Sequence, residues 1–463
     1  MSIFEKSSEL PVSADEAFAW HCRPGAFLRL APPWESIELL SSDGVSDGSR
    51  AIIRMKLGPF SKKWIAEHHD IIPGRQFQDR QVSGPFASWN HTHQLEPVSA
   101  DRCMLTDRIE FQPPLGIFGR FFGGRLIRRQ LERTFRYRHA LTASDLTFHS
   151  AYSEESAMKI AIGGSTGLVG SALVSLLTTG GHEVSRLSRS SGSASSDGTT
   201  SIAWDPAKGT IDATGLEGTD AVVHLGGHNI AHGRWTDGMK RLIRDSRVNS
   251  TSLLSRTLAG LANPPKVLVC ASAIGFYGDR GQEIMTEESA PGPSFLSKTC
   301  REWEEATAPA RDAGIRVVNL RIGVVLSPKG GALQKMLLPF KMGGGGVVGS
   351  GKQWMSWVCL DDLPRIILHA IQTESLSGPV NATAPGTVDN REFTKTLGRV
   401  LKRPTIIPMP AFVVKLAFGE MGEELLLGST RTVSNRLQES GYEFAFPELE
   451  PALRHLLGRT PCV

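Results

Sequence analysis

Seven consecutive residues have the types and spacing to cradle a pyrophosphate: Gly164, Ser165, Thr166, Gly167, Leu168, Val169 and Gly170. Lys159 to Ile162 reads as a strand before them, and Leu168 to Leu177 reads as a helix after them. In a Gly-x-x-Gly-x-x-Gly turn the first glycine permits the tight bend. The second lets the backbone approach the phosphates, and the third lets helix and strand pack closely. The phosphates then meet the free N–H groups and positive end of the helix. Strand before and helix after are the context that gives this pattern its meaning. The next strand, Glu183 to Arg189, ends in Ser188-Arg189, where an NAD site would place an acidic residue on the ribose hydroxyls. A guanidinium beside a hydroxyl suits a 2′-phosphate, so the expected cofactor is NADP(H). A third strand, Asp220 to Leu225, runs into Gly226-Gly227, which should pass under the cofactor with Leu225 against it.

Other clusters carry weaker chemistry. Gly346 to Gln353 nearly spells a P-loop, but Gln353 stands where a Ser or Thr hydroxyl should meet Mg²⁺. We read it as a mobile glycine-rich loop near the substrate pocket, with Lys352, Trp354 and Trp357 as candidate substrate contacts. His91 and His93 alternate along a predicted strand and share a face. His68, His69 and Asp70 could join them, but no tight ligand spacing supports a metal, and none is expected. Arg120, Arg125, Arg128, Arg129, Arg133, Arg136 and Arg138 crowd one predicted helix. They read as a solvated face opposite an apolar one, with peripheral contact to an anionic membrane as the alternative.

These residues need elements to hold them. Residues 158 to about 400 alternate helices with short apolar strands, among them Ala221–Leu225, Lys266–Cys270 and Val317–Leu320. That pattern predicts an α/β Rossmann fold with a doubly wound parallel sheet. A C-terminal helical extension follows at 405–457. Residues 1–150 read differently. Ser13-Ala14-Asp15-Glu16 has capping-box spacing, Ile37 to Leu105 has short strands with turn signals, and Leu115 to Leu141 has helical periodicity. This predicts an α+β helix-grip domain. The boundary is placed at Ser144 to Ala157, and Ser190 to Thr200 reads as a flexible Ser/Gly loop.

Composition narrows the classes. At about 100–200 residues per domain, 463 residues suggest two or three domains. A net charge of +4 gives no whole-molecule field for nucleic acid. No apolar run reaches the ~20 residues of a membrane span, and the N-terminus lacks a secretory pattern. None of the six scattered cysteines lies in a CxxC pair. The expected location is cytoplasmic.

The element order of residues 1–150 resembles the START-like polyketide cyclase/dehydrase superfamily, which implies an apolar ligand held between sheet and helix. Gly163 to Gly170 and Asp220 to Gly227 look like an extended short-chain dehydrogenase/reductase. Arg234-Trp235-Thr236, Ser246-Arg247-Val248, Gly275-Phe276-Tyr277-Gly278, Trp303-Glu304, Arg321 to Leu326, Met336 to Phe340, Trp357 to Asp362 and Asn381 to Pro385 are more specific. Together with the tail to Leu457 they resemble the epimerase-family subgroup of atypical short-chain type, which has its own C-terminal domain. The resemblance implies NADP(H), with contacts from Ser188, Arg189, Leu225, Arg247 and Val324 by position.

Reductases and epimerases of that larger superfamily use Tyr-x-x-x-Lys, with a Ser or Thr orienting the substrate oxygen. Here Lys298 is present, but Ser294 occupies the Tyr position. Ser272 and Tyr277 are the remaining candidates, so the candidate catalytic set is Ser272, Tyr277 and Lys298. The leading expectation is an NADP(H)-dependent oxidoreductase or epimerase acting on a small molecule. The alternative is a non-catalytic, NADP-sensing regulator that binds a partner; the resemblance links that role to cell division.

Overall fold

The computed structural model describes residues 1–57, 60–114, 116–152, 157–189, 197–231 and 233–460. Most of the predicted Ser/Gly loop (190–196), residues 153–156 of the predicted boundary, and Cys462 lie outside the described residues. The chain forms two compact units. One comprises Met1–Ala157 with the stretches 175–182 and 194–199, and the other is the remainder from Met158.

The first unit runs β1 (Ser2–Leu10), α1 (Ala14–Cys22), α2 (Ala26–Leu30), β2 (Ile37–Ser42), β3 (Arg50–Leu57), β4 (Phe60–Ile72), β5 (Gln76–Ser83), β6 (Ser88–Ser99), β7 (Arg102–Gln112) and α3 (Gly116–Ser150). Ser13 caps α1, its hydroxyl accepting from Glu16 N at 3.2 Å. The antiparallel sheet has the order β1-β7-β6-β5-β4-β3-β2. Long α3 lies along it: Leu131 and Phe135 share an apolar cluster with Phe4, Ile109 and Phe111. Leu146 does the same with Leu10, Trp20 and Leu105. Helix and curved sheet form the helix grip. The helix reaches Ser150, nine residues past the Leu141 at which the periodicity faded. Two interactions hold this extension inside the unit. Leu146 is buried, and Asp145 takes two bonds from Arg29, at 2.7 and 2.9 Å. The boundary therefore begins after Ser150.

The second unit begins with β8 (Lys159–Gly163), α4 (Leu168–Thr179), β9 (Glu183–Ser188), β10 (Thr200–Asp205), β11 (Thr210–Ile211), β12 (Ala221–His224), α5 (Asp237–Ala259) and β13 (Val267–Ala273). It continues with β14 (Ile284–Met285), α6 (Phe295–Glu305), α7 (Ala308–Asp312), β15 (Arg316–Ile322), β16 (Val324–Leu326) and α8 (Gly331–Lys341). Next come β17 (Trp354–Met355), β18 (Trp357–Cys359), α9 (Asp362–Gln372) and β19 (Gly378–Ala382). The main sheet has the order β11-β10-β9-β8-β12-β13-β15-β19, parallel except at the β10–β11 edge. This is a doubly wound Rossmann sheet. Its order reverses between β8 and β12, and a ligand of such a sheet binds outside the strand ends at that switch point. The C-terminal helix Leu449–Leu456 shares an apolar cluster with Leu326, Trp357, Phe393 and Leu397. Among the described residues no helix is long and apolar enough to cross a membrane.

Candidate dinucleotide site

The glycine turn lies at the switch point. Gly163 closes β8 opposite His224 of β12, and Leu225 N donates to Gly163 O at 2.8 Å. Gly164 has φ +80°, and a Cβ there would lie 2.8 Å from the Leu225 carbonyl carbon. Only glycine fits that backbone and that approach. A Cβ on Gly170 would stand 2.2 Å from Gly164 O, so the start of α4 rests directly on the turn. Gly167 differs: its Cβ would meet only Gly164 O, at 3.3 Å, and both it and Thr166 face open space. The middle of the turn is thus the part free to receive phosphates. Ser165 is buried, while Leu168 and Val169 are half-buried on the first turn of α4.

Arg186 in the middle of β9 belongs to this site although sequence reasoning missed it. Its Nη1 donates to Ser165 O at 3.0 Å and ties β9 to the turn. An arginine one strand over from a glycine turn is the only signal the sequence offered. Beyond it, Ser188 is half-buried at the end of β9 and Arg189 is exposed just past it. Among the described residues, no ion pair holds Arg189.

Just past β12, Leu225 and Gly226 are half-buried and Gly227 is exposed. Arg247 on α5 pins the loop after them, donating to His228 O at 3.0 Å and to Ile243 O at 2.9 Å. Its guanidinium also stands 5.1 Å from the Trp303 ring centre. Ser246 Oγ accepts from His228 N at 2.9 Å, so the Ser246-Arg247 pair is a clasp on this loop. His224 is fully buried at the end of β12, its Nε2 3.0 Å from Ser250 Oγ. Burial, with Arg247 nearby, holds its pKa down at about 4. Val324 opens β16 and packs half-buried against the cluster around Leu326.

The three candidate catalytic residues are not brought together as a proton-relay set. Tyr277 is fully buried, its hydroxyl donating to Asn381 Oδ1 at 2.7 Å and accepting from Arg321 Nη1 at 3.0 Å. Burial pushes its phenol above the ordinary value in spite of Arg321. Ser272, also buried, donates to Glu304 Oε1 at 2.7 Å. The same carboxylate takes two parallel bonds from Arg321, both at 2.9 Å, and Arg321 stacks 3.5 Å from the Phe276 ring centre. Ser272 and Tyr277 thus meet in one buried polar network built on Arg321. Lys298 is exposed on α6. Ser294, at the Tyr position, caps that helix and donates to Glu424 Oε2 at 2.9 Å.

The loop 346–353 is bound at several points, which corrects the expectation of a mobile one. Gly346 lies so close to Ile407 O that a Cβ would overlap it. Gln353 Nε2 bridges Val348 O and Leu426 O, at 3.0 and 3.1 Å. Trp357 is fully buried with its indole on Gly386 O, which removes it from any substrate surface. Trp354 lies beneath the Arg431 guanidinium, 4.1 Å from ring centre to Cζ.

Comparison with known proteins places this geometry. Residues 160–382 match the NAD dependent epimerase/dehydratase family. Residues 10–135 match the family described as polyketide cyclase / dehydrase and lipid transport, and residues 409–456 match a domain of unknown function, DUF1731. Epimerase family protein Mb2239 of Mycobacterium bovis is 41% identical over 302 residues, covering 65% of this chain and 98% of that one. The chain belongs to the epimerase family. The human epimerase family protein SDR39U1 is 36% identical over 307 residues, covering 65% of this chain and all of the human one. Among solved structures, the nucleoside-diphosphate sugar epimerase from Corynebacterium glutamicum superposes with TM-score 0.79 at 33% identity, covering 98% of this chain and 90% of that one. Human SDR39U1 (isoform 2), crystallised with NADPH, superposes with TM-score 0.59 at 34% identity, covering 65% of this chain and 99% of its own. The match spans nearly the whole length of the bacillary, human and mycobacterial relatives but only about two thirds of this chain. The remainder is its polyketide cyclase-like N-terminal unit.

Proposed function

We propose that this epimerase-family protein binds NADP(H) at the Gly164–Gly170 turn and acts on a small molecule there, while the N-terminal unit holds an apolar ligand. The observation that carries the cofactor is the turn itself. It combines a left-handed Gly164, a helix start resting on Gly164 O through Gly170, and an open Gly167 at the switch point of the sheet. Bound there, the dinucleotide would supply hydride chemistry. Gly164 to Val169 would face the pyrophosphate, and Ser188 and Arg189 the adenosine 2′-phosphate. The NADPH in the human SDR39U1 crystal supports the phosphorylated form. Fluorescence titration of NADPH and NADH into wild type and Arg189→Ala tests this. The variant should lose at least tenfold in NADPH affinity with NADH unchanged. An unaltered NADPH/NADH preference would refute the Arg189 assignment.

The state of three candidate groups favours a second reading, a non-catalytic NADP-sensing regulator. Ser294 is spent as a helix cap, Lys298 is exposed, and Tyr277 is sealed in the Arg321 network. Ser294 and Tyr277 are thus committed to partners within the protein. Single-turnover oxidation of bound NADPH across a carbonyl panel separates the two readings. Hydride transfer to any member favours the enzyme, and binding without oxidation favours the regulator.

A further inference from the structure

The N-terminal unit contains a partly open cavity of about 750 Å³. Most of its wall is apolar, including Leu28, Ile53, Met55, Phe86 and Leu131. Among its polar lining residues, which include His21, His68, Glu35 and Arg138, one group stands out. Asp79, His91 and His93 line the cavity together, while Asp107 and His139 stand behind them and do not.

The sheet creates this arrangement. Asp79 on β5 is the direct cross-strand partner of His91 on β6, and His93 on β6 is the direct partner of Asp107 on β7. His91 and His93, two apart, point to the same face. Asp79 Oδ2 lies 3.2 Å from His91 Nδ1 and 3.6 Å from His93 Nε2. One ligand atom from each of the three residues falls within 4.8 Å of the others. A tetrahedral cation with bonds of ~2.0–2.1 Å needs ligand atoms about 3.3 Å apart, so the two measured edges bracket the requirement.

The layer behind has the form that orients metal-binding imidazoles. His91 Nε2, on the far side of its ring from Asp79, hydrogen-bonds Asp107 Oδ1 at 2.9 Å. His93 Nδ1, again on the far side, lies 2.6 Å from the same oxygen without hydrogen-bond alignment. His139 Nε2 on α3 bonds Asp107 Oδ2 at 2.7 Å. Asp107, itself buried, therefore faces three imidazoles and holds the His91 ring from behind by a hydrogen bond, with His93 close against the same oxygen. A carboxylate holding the outer nitrogen of a ligating histidine selects the tautomer that leaves the inner nitrogen free. Phe77 stacks on the His93 ring at 4.0 Å and further restricts its orientation.

We propose that Asp79, His91 and His93 bind one divalent transition-metal ion in the wall of the N-terminal cavity. Two imidazoles and one carboxylate suit Zn²⁺, Fe²⁺ or Co²⁺ rather than Ca²⁺ or Mg²⁺, which take oxygen ligands. Three protein ligands leave coordination positions open, and these face the cavity. The ion would there take a carbonyl, carboxylate or phenolate oxygen of an otherwise apolar ligand. Metal binding does not depend on the NADP(H) reading, because its residues belong to the other unit.

The test uses the full chain, stripped with chelator and titrated with Co²⁺ alone. A visible d–d band should saturate at one equivalent and be displaced by Zn²⁺. Asp79→Asn and His93→Ala should each weaken Co²⁺ binding at least tenfold, and Asp107→Asn by ~10–100-fold as a residue acting through the ligands. His69→Ala should leave it unchanged, because that ring bonds Asp70 and Asn90 and does not line the cavity. Unaltered circular dichroism of each variant checks that the fold survives. A wild-type protein that takes up no stoichiometric Co²⁺ or Zn²⁺ overturns the proposal. So does uptake that persists in a folded His93→Ala variant.

Discussion

A Cβ on Gly170 would lie 2.2 Å from the carbonyl oxygen of Gly164, whereas one on Gly167 would meet only that oxygen, at 3.3 Å. The two glycines of one turn therefore have separable duties. Gly170→Ala forces helix and turn apart, so it should cost about 1–3 kcal/mol of stability and most of the NADPH affinity. Gly167→Ala leaves the packing nearly intact but puts a methyl where backbone must approach a phosphate. It should weaken NADPH at least tenfold with little change in melting temperature. Calorimetry and NADPH titration of both variants check this, and equal melting losses would show that the turn has no free middle.

Tyr277→Phe separates scaffold from catalysis. The substitution leaves Arg321 Nη1 with only the Glu287 carbonyl and removes the donor to Asn381 Oδ1. A buried group stripped of its partner costs about 1–3 kcal/mol, so the melting temperature should fall. NADPH affinity should hold, and the pH profile of any hydride transfer should not move. A lost catalytic limb with unchanged melting would restore Tyr277 as an acid.

The motifs legible in the sequence were those that act through neighbours along the chain. The Gly164–Gly170 turn is such a case, since strand, turn and helix follow one another and each glycine has a local reason. The long helix was legible by its period, but its last turns were not, because Asp145 is held by Arg29 from far away in sequence. Trp303-Glu304, Gly275 to Gly278 and Arg321 stood out as motifs without revealing their purpose. The reason is the register of β13 and β15, which sets Ser272 directly beside Arg321 and lets Glu304 of α6 close over both. His91 and His93 were visible as a same-face pair. Their partners were sought along the chain in His68, His69 and Asp70, yet Asp79 on the next strand is the residue the sheet sets opposite both His68 and His91. Ligand spacing that arises across strands leaves no spacing in the sequence.

Glu304→Gln should be among the most damaging single changes in the second unit. It removes the charge facing the buried Arg321 guanidinium, and breaking one side of a buried pair costs about 3–5 kcal/mol. The double variant Glu304→Gln/Arg321→Met removes the stranded charge as well and should recover part of that loss. Denaturation of the two single variants and the double variant forms the cycle. Additive losses would mean that the pair is not coupled.

His224 makes the stability of the second unit depend on pH in a defined direction. Its folded pKa is about 4, against 6.5 for the free side chain, because the ring is desolvated with Arg247 nearby. Between those values the unfolded chain binds a proton that the folded chain refuses. Stability from this group is therefore fully present above pH 6.5 and is lost as pH falls toward 4. The shift corresponds to roughly 3 kcal/mol at the acid end. His21 and His369 are also held down at about 4 and act in the same direction, so wild type alone cannot isolate His224. His224→Gln keeps a side-chain donor for Ser250 but cannot take up the proton. Calorimetric scans at pH 7.5 and pH 5 should show a smaller acid loss in the variant than in wild type. The difference should lie in the transition that NADPH shifts upward. Parallel acid losses in the two proteins would mean that His224 is protonated in the folded state and that Ser250 and Arg247 do not exclude the charge.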